Sequence, residues 1–287
     1  MPISLHTPTT ADLDDVVHAL ARWRRDDAPM QLHPGDVGYF WQFGPEKTAA
    51  SLRTWVRDGE ILAVGMLDGP DVLRLAVAPE AHWDDELAAQ MADDMSRADG
   101  GIFLEDSANA EVLWGGRLTE VLRAAGWQPD EPWIPMVRNL SEPIPQIDLE
   151  VKVVGPNNLA DRIGVHKAAF PGSKFSEERW QAMAEGTPYA NARCLVAYNA
   201  DGEAVAAATV WSAGQGKPGL LEPVGVHQAH QGKGHGKAIA IAGAHALREM
   251  GASAATVCAE GSNQAALATY KSAGYVPGPE VTDLSRP

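Results

Sequence analysis

Cysteine is scarce: Cys194 and Cys258 are the only two in 287 residues. That is too few for a disulfide framework or a zinc cage, so neither is expected, and a reducing compartment is. Both fall in predicted strands without a basic neighbour in sequence, which predicts buried, inert thiols. Long apolar runs are missing too. No stretch approaches the roughly 18–20 residues that span a bilayer. The start Met1-Pro2-Ile3-Ser4-Leu5-His6 lacks a basic flank and an apolar signal core, so a cytoplasmic location is expected. Basic charge is in deficit, and the deficit lies in one half. Residues 1–145 carry 11 Lys and Arg against 25 Asp and Glu, whereas residues 146–287 carry 12 against 13. An acidic half repels phosphates, which argues against nucleic acid and anionic membranes as partners. Only the near-neutral half suits an anionic cofactor.

What is present is ordinary for a globular chain: 45% hydrophobic and 21% charged residues. The length predicts two domains. Prolines in Ser141-Glu142-Pro143-Ile144-Pro145-Gln146 favour extended, unpaired backbone. The expected division is therefore 1–140, a linker at 141–147, and 148–287. In the second half the patterns predict strands at 149–154, 193–198, 204–212, 220–226 and 255–259. Helices are predicted at 157–169, 237–250 and 263–272, and Asp201-Gly202 marks a hairpin turn. Gly251 is the predicted cap of the 237–250 helix. The first half repeats this order more faintly. Its predicted strands are 3–6, 60–67 and 71–77, and its helices 11–23, 84–98 and 112–125.

The sharpest feature is Gln231-Gly232-Lys233-Gly234-His235-Gly236-Lys237, between a strand and a helix. Alternate glycines remove side chains from a ligand's path and let backbone N–H groups converge. The helix beyond adds free N–H groups and a positive dipole end, and Lys233 and Lys237 add charge. Such a turn suits a pyrophosphate. A Walker A loop is excluded, because Gln231 and Ala238 stand where Gly and Ser/Thr are needed. A Rossmann turn is excluded by the glycine spacing and by the loop's late position.

The pattern Gln231-x-x-Gly234-x-Gly236 resembles the pyrophosphate loop of the GNAT N-acetyltransferase superfamily. The segment from Asn263 to Gly274-Tyr275 is similar to that family's helix beside the cofactor thiol. Two motifs in the right order are more specific than either alone. The resemblance covers residues 150–280 and implies acetyl-CoA as co-substrate. It also implies that backbone at Val224, Gly225 and Val226 holds the cofactor arm, with Gly225 allowing close approach. Gln231, Gly232, Lys233, Gly234, His235, Gly236 and Lys237 would hold the diphosphate. Asn263 and Tyr270 lie seven residues apart on one helical face, with small Ala266 between them leaving room for the cofactor. Asn263 also suits the N-cap. The resemblance makes Tyr270 the general acid to the departing sulfur. Glu222 is the candidate base, placed on the face of Val226 by strand alternation. His227, His230 and His235 beside the loop are weaker candidates.

The corresponding stretch of the first half, Ala81-His82-Trp83-Asp84-Asp85-Glu86, lacks every glycine and adds three carboxylates. Pyrophosphate would meet bulk and like charge there. The chain thus resembles double-GNAT enzymes with a degenerate N-terminal copy. The expected fold is α/β (α+β): two tandem domains, each a mostly antiparallel twisted sheet flanked by helices. Tyr39-Phe40-Trp41-Gln42-Phe43 is expected to pack in a core rather than to line the cleft or the domain interface. The expected activity is N-acetylation of a small-molecule amine, for which the acidic half favours a cation. Transfer to a peptide or protein amine, and non-catalytic acyl-CoA binding, remain alternatives. Monomer and homodimer are equally compatible with the sequence.

Overall fold

The computed structural model describes residues 2–97, 102–103, 107–112 and 116–286. The first half contains β1 (Ser4–His6), α1 (Leu13–Trp23), α2 (Pro34–Phe40), α3 (Pro45–Ser51), β2 (Leu52–Arg57), β3 (Glu60–Leu67) and β4 (Val72–Val77). It continues with α4 (Asp85–Ser96), β5 (Ala108–Glu111), α5 (Arg117–Ala124) and β6 (Gln128–Asn139). The second half runs β7 (Glu150–Val153), α6 (Leu159–Ala169), α7 (Glu177–Glu185), β8 (Ala192–Tyr198), β9 (Ala204–Trp211) and β10 (Gly219–Val226). Then follow α8 (His235–Glu249), β11 (Ala254–Glu260), α9 (Gln264–Ser272), β12 (Val276–Pro277) and β13 (Val281–Arg286). Every element read from the pattern is present within a few residues. Of the two helices expected at 84–98 and 112–125, residue 98 and residues 113–115 lie outside the described residues.

Local chemistry explains most of these elements. α1 buries Leu13, Val16, Ala19, Leu20 and Trp23, the 3.6-residue stripe of an amphipathic helix, and its first turn is acidic. The β8–β9 turn is held by the Asn199 side chain, which accepts the N–H groups of Asp201 and Glu203 at 3.1 and 2.9 Å. α8 starts after Gly234 and ends before Gly251, both with positive φ (84° and 82°), so glycine satisfies the left-handed geometry at each end.

Among the described residues the strands form one sheet, ordered β1-β2-β3-β4-β5-β13-β6-β11-β10-β9-β8-β7. Parallel pairing occurs at β4–β5 and β10–β11; the other pairs are antiparallel. The two expected sheets are therefore joined edge to edge. β13, at the C-terminus, lies between β5 and β6, and its Leu284 belongs to the first half's core. Conversely, residues 133–139 of β6 pair with β11, and Met136 belongs to the second half's core. Each half completes the other's sheet. This exchange was not visible in sequence, because a strand's pattern reports which face is buried and not which neighbour it pairs with.

A third apolar cluster joins the halves. Trp211 of β9 is buried there with Phe175 and Met183, and Met30 and Tyr39 of the first half pack against it. Tyr39 stacks on Phe175 at 6.3 Å between ring centroids, and Trp41 lies against Gly186. Of the aromatic stretch 39–43, Phe40 and Trp41 are buried in the first half's core as expected, Tyr39 is half-buried at the junction of the halves, and Phe43 is exposed. α2 approaches Trp211 through glycines: a Cβ on Gly38 would lie 2.5 Å from the indole Cζ3 and 2.9 Å from Pro188 Cβ. Gly38→Ala gains helix propensity of about 1 kcal/mol but overpacks by about 1–3 kcal/mol, and the clash is expected to win. A lower urea midpoint at unchanged slope checks this.

Candidate active site

The site begins where β10 and β11 part. They pair only at Gly219↔Ala255 and Leu220↔Thr256, although both strands continue to Val226 and Glu260. On its other edge, β10 shifts register against β9 between Leu221 and Val224. Pro223 sits in this bulge and has no N–H to donate to the ladder. The bulge, rather than regular alternation, puts Glu222 into the cleft, so the same-face argument from Val226 does not apply. The Glu222 carbonyl accepts the Trp211 indole N–H at 2.8 Å, which fixes the bulge to the domain junction.

Two cavities open beside the parted strands. The first, about 650 Å³, is lined by Val224, Gly225 and Val226, by Gln231, Gly232, Gly234, His235, Gly236 and Lys237, and by the Ala266–Tyr270 face of α9. Gly232 has φ 75° and Gly234 φ 84°. The free N–H groups of α8's first turn head this cavity. Burial, with His230 and Lys233 adding to it, lowers the His235 pKa below its usual value. The second cavity, about 370 Å³, lies between the halves. Glu222, Pro223 and Cys258 line it from the second half, and Asp36, Asp68, Arg74 and Glu111 from the first. Phe170, Val224 and Tyr270 belong to both cavities.

Most of the sequence-derived candidates thus converge. Tyr270, Glu222 and Ala266 line the paired cavities as expected. Lys233 and Asn263 do not line them. Asn263 Oδ1 caps α9, accepting the Ala266 N–H at 3.0 Å. Gly225 lines the first cavity and also serves packing. A Cβ there would lie 2.7 Å from Ala169 Cβ and 3.0 Å from Phe170 Cε2, so its small size admits α6. Gly236 likewise admits Thr269 of α9, whose Cγ2 lies 3.0 Å from a built Cβ. Cys194 is buried, whereas Cys258 borders the second cavity and is not a core thiol. Burial, aided by Glu111 and Glu222, pushes its thiol up to about 12.

The electrostatics single out Glu222 and Tyr270. The Glu222 side chain keeps 40% of its surface open to the cleft and has the rest covered by protein. That burial raises its pKa; Arg74 lowers it; Asp36, Glu111 and Asp68 raise it again, leaving it at about 7. Burial, with Glu222 and Cys258 adding to it, raises the Tyr270 phenol well above its usual value. A carboxylate that titrates near neutrality and a persistently protonated phenol thus line one cavity.

In the first half, Asp84 occupies the corresponding position. It caps α4 through the Leu87 N–H at 2.9 Å and pairs with Arg57 at 2.7 Å. The first turn of α4 is thus capped by a carboxylate of the chain itself. Sequence reasoning missed Asp36, Asp68 and Glu111, for which the acidic excess of the first half was the only signal, and Arg74 and Phe170, for which there was none.

The profile of the acetyltransferase (GNAT) family matches residues 164–275, a span that contains the bulge, the glycine loop and α9. This span, less than half of the chain, is similar to GNAT acetyltransferase domains. The whole chain shares its fold with a tandem GNAT protein from the clavulanic acid biosynthesis pathway, at 14% identity, 99% and 98% coverage of the two chains, and TM-score 0.59. A GCN5-related N-acetyltransferase from Sphaerobacter thermophilus gives 18% identity, 99% and 95% coverage, and TM-score 0.59. A GNAT-family acetyltransferase from Colwellia psychrerythraea gives 15%, 99% of both chains, and 0.62. No curated protein sequence matches the chain. No helix among the described residues is long and apolar enough to cross a membrane.

Proposed function

We propose that this chain is an acetyl-CoA-dependent N-acetyltransferase acting on the primary amine of a small cationic molecule, by direct transfer in a ternary complex. One observation carries the reading: Tyr270, Val224 and Phe170 form the common wall of a glycine-cradled cavity and an acidic one. Donor and acceptor can then lie side by side. The second cavity's volume suits a small molecule rather than an extended peptide. Among the described residues that line it, carboxylates outnumber the one cation, Arg74, four to one, which favours a positively charged guest.

Acetyl-CoA would supply the activated acyl group as a thioester. The amides of the glycine loop and of α8's first turn would bind its diphosphate, with Lys237 beside them. Backbone groups of the parted β10 strand would orient its arm. Glu222 would take a proton from the acceptor ammonium, so that the neutral amine can form the N–C bond at the thioester carbonyl, and Tyr270 would return a proton to the sulfur as its C–S bond breaks. Cys258, held protonated, is a poor nucleophile, in keeping with direct transfer. The units are residues 1–140 and 148–287, connected through 141–147, with strands exchanged between them, and cytoplasmic acetyl-CoA would be within reach. A panel of amines, assayed for CoA release from acetyl-CoA, tests the reading. Turnover is expected with a di- or polycationic small amine; no turnover with any amine would refute it. Gly234→Val places a β-branched residue at φ 84°, at a cost of about 1–3 kcal/mol. Calorimetry should show CoA affinity falling about tenfold or more.

A further inference from the structure

We propose that Arg74, in the half without the cofactor cradle, is a positioning residue that keeps the Glu222 carboxylate ionised and held at the acceptor cavity. The proposal rests on the assignment of Glu222 as the base. Arg74 sits mid-strand on β4, its Cα directly opposite Glu111 of β5. Its Nε donates to Glu111 Oε2 at 2.8 Å. Its Nη1 lies 3.2 Å from Asp36 Oδ1 and 3.8 Å from Glu222 Oε1, and Asp68 is at 4.0 Å. Asp36 is in turn fixed at the start of α2, where Oδ2 accepts the His33 N–H at 2.6 Å. The guanidinium is therefore held from two elements of the first half, and its remaining reach crosses to the bulge of the second. A purely structural ion pair would be complete with Asp36 and Glu111.

The groups facing Glu222 are few. Asp36 and Tyr39 of α2, Asp68 after β3, and Glu111 of β5 approach from one side, with Cys258 of β11 and Tyr270 of α9 on the other. Among the described residues lining this cavity, Arg74 is the only cation. An opposite charge within about 4–6 Å favours a carboxylate's ionised form by roughly one to three pH units. Three competing carboxylates oppose it here, so the lower end applies. Without the guanidinium, Glu222 would stay protonated to higher pH and could not take the amine proton.

The test is the pH profile of kcat/KM for the wild type, Arg74→Met, Arg74→Lys, Asp36→Asn and Glu222→Gln. Arg74→Met is expected to move the acidic limb to higher pH by about one unit. The rate below the limb then falls about tenfold and recovers above it, with CoA affinity by calorimetry unchanged. Arg74→Lys retains the charge and should restore most of the shift. Asp36→Asn removes a competing carboxylate but keeps an oxygen for the His33 N–H, so its limb should move to lower pH. A limb unmoved in Arg74→Met, or a loss equal at every pH, would overturn the proposal. Should Arg74→Met not fold, Asp36→Asn decides alone: a limb unmoved or shifted upward counts against it. If Glu222→Gln itself keeps the wild-type profile, the base assignment fails instead, which is a separate result.

Discussion

Glu222→Gln is expected to lower kcat/KM at least a hundredfold at pH 8, the low end of what general bases contribute. The substitution keeps the shape of the side chain and removes the proton acceptor. The sign of the pH dependence follows from the environment. Burial and the neighbouring carboxylates raise this group to about 7, so the base is active only above that region. In the wild type, activity should rise with pH through neutrality. In the variant that limb disappears, leaving only the acceptor amine's own ionisation. The Glu222 backbone carbonyl, which receives the Trp211 indole, is untouched. Stability should therefore change little, and a normal urea midpoint beside a collapsed rate separates chemistry from folding. A rate within threefold of wild type would remove Glu222 from the mechanism.

Tyr270→Phe is expected to lower kcat at least tenfold while leaving CoA affinity nearly unchanged. The ring stays, and with it the edge contact to Tyr275 at 5.8 Å between centroids. Only the hydroxyl is lost. Its pKa is raised by burial first and by Glu222 and Cys258 next, so the phenol remains a proton donor throughout the working range. A general acid acts on the leaving group and not on ground-state binding, so kcat and kcat/KM should fall together. Measuring CoA release with a good acceptor checks this. Unchanged kcat would make Tyr270 a packing residue, consistent with its place in the second core.

The glycine-lined cavity was legible because its geometry is local. Glycines at 232, 234 and 236, a strand before them and a helix after them lie within a short span, and the spacing of Asn263 and Tyr270 follows from helical geometry alone. The same local logic placed the Asn199 turn and the caps at Gly234 and Gly251. It also marked the Asp84 loop as unfit for a diphosphate. Reasoning by regular periodicity went wrong where the chain departs from it. The bulge at Leu221–Val224 changes which way Glu222 faces, and nothing in the alternation of β10 announces it.

The amino-acid order alone determined the tandem plan, the half that resembles the acetyltransferase family and the glycine loop between its strand and helix, because these depend on contacts between near neighbours and on helical and strand periods. Only the tertiary structure decided that β13 and β6 exchange places between the halves, and that Gly225 and Gly236 make room for α6 and α9. It alone set Arg74, Asp36 and Glu111 around Glu222. The strand exchange and the Arg74–Glu222 contact join residues more than a hundred positions apart, where register and burial, not local propensity, choose the partner.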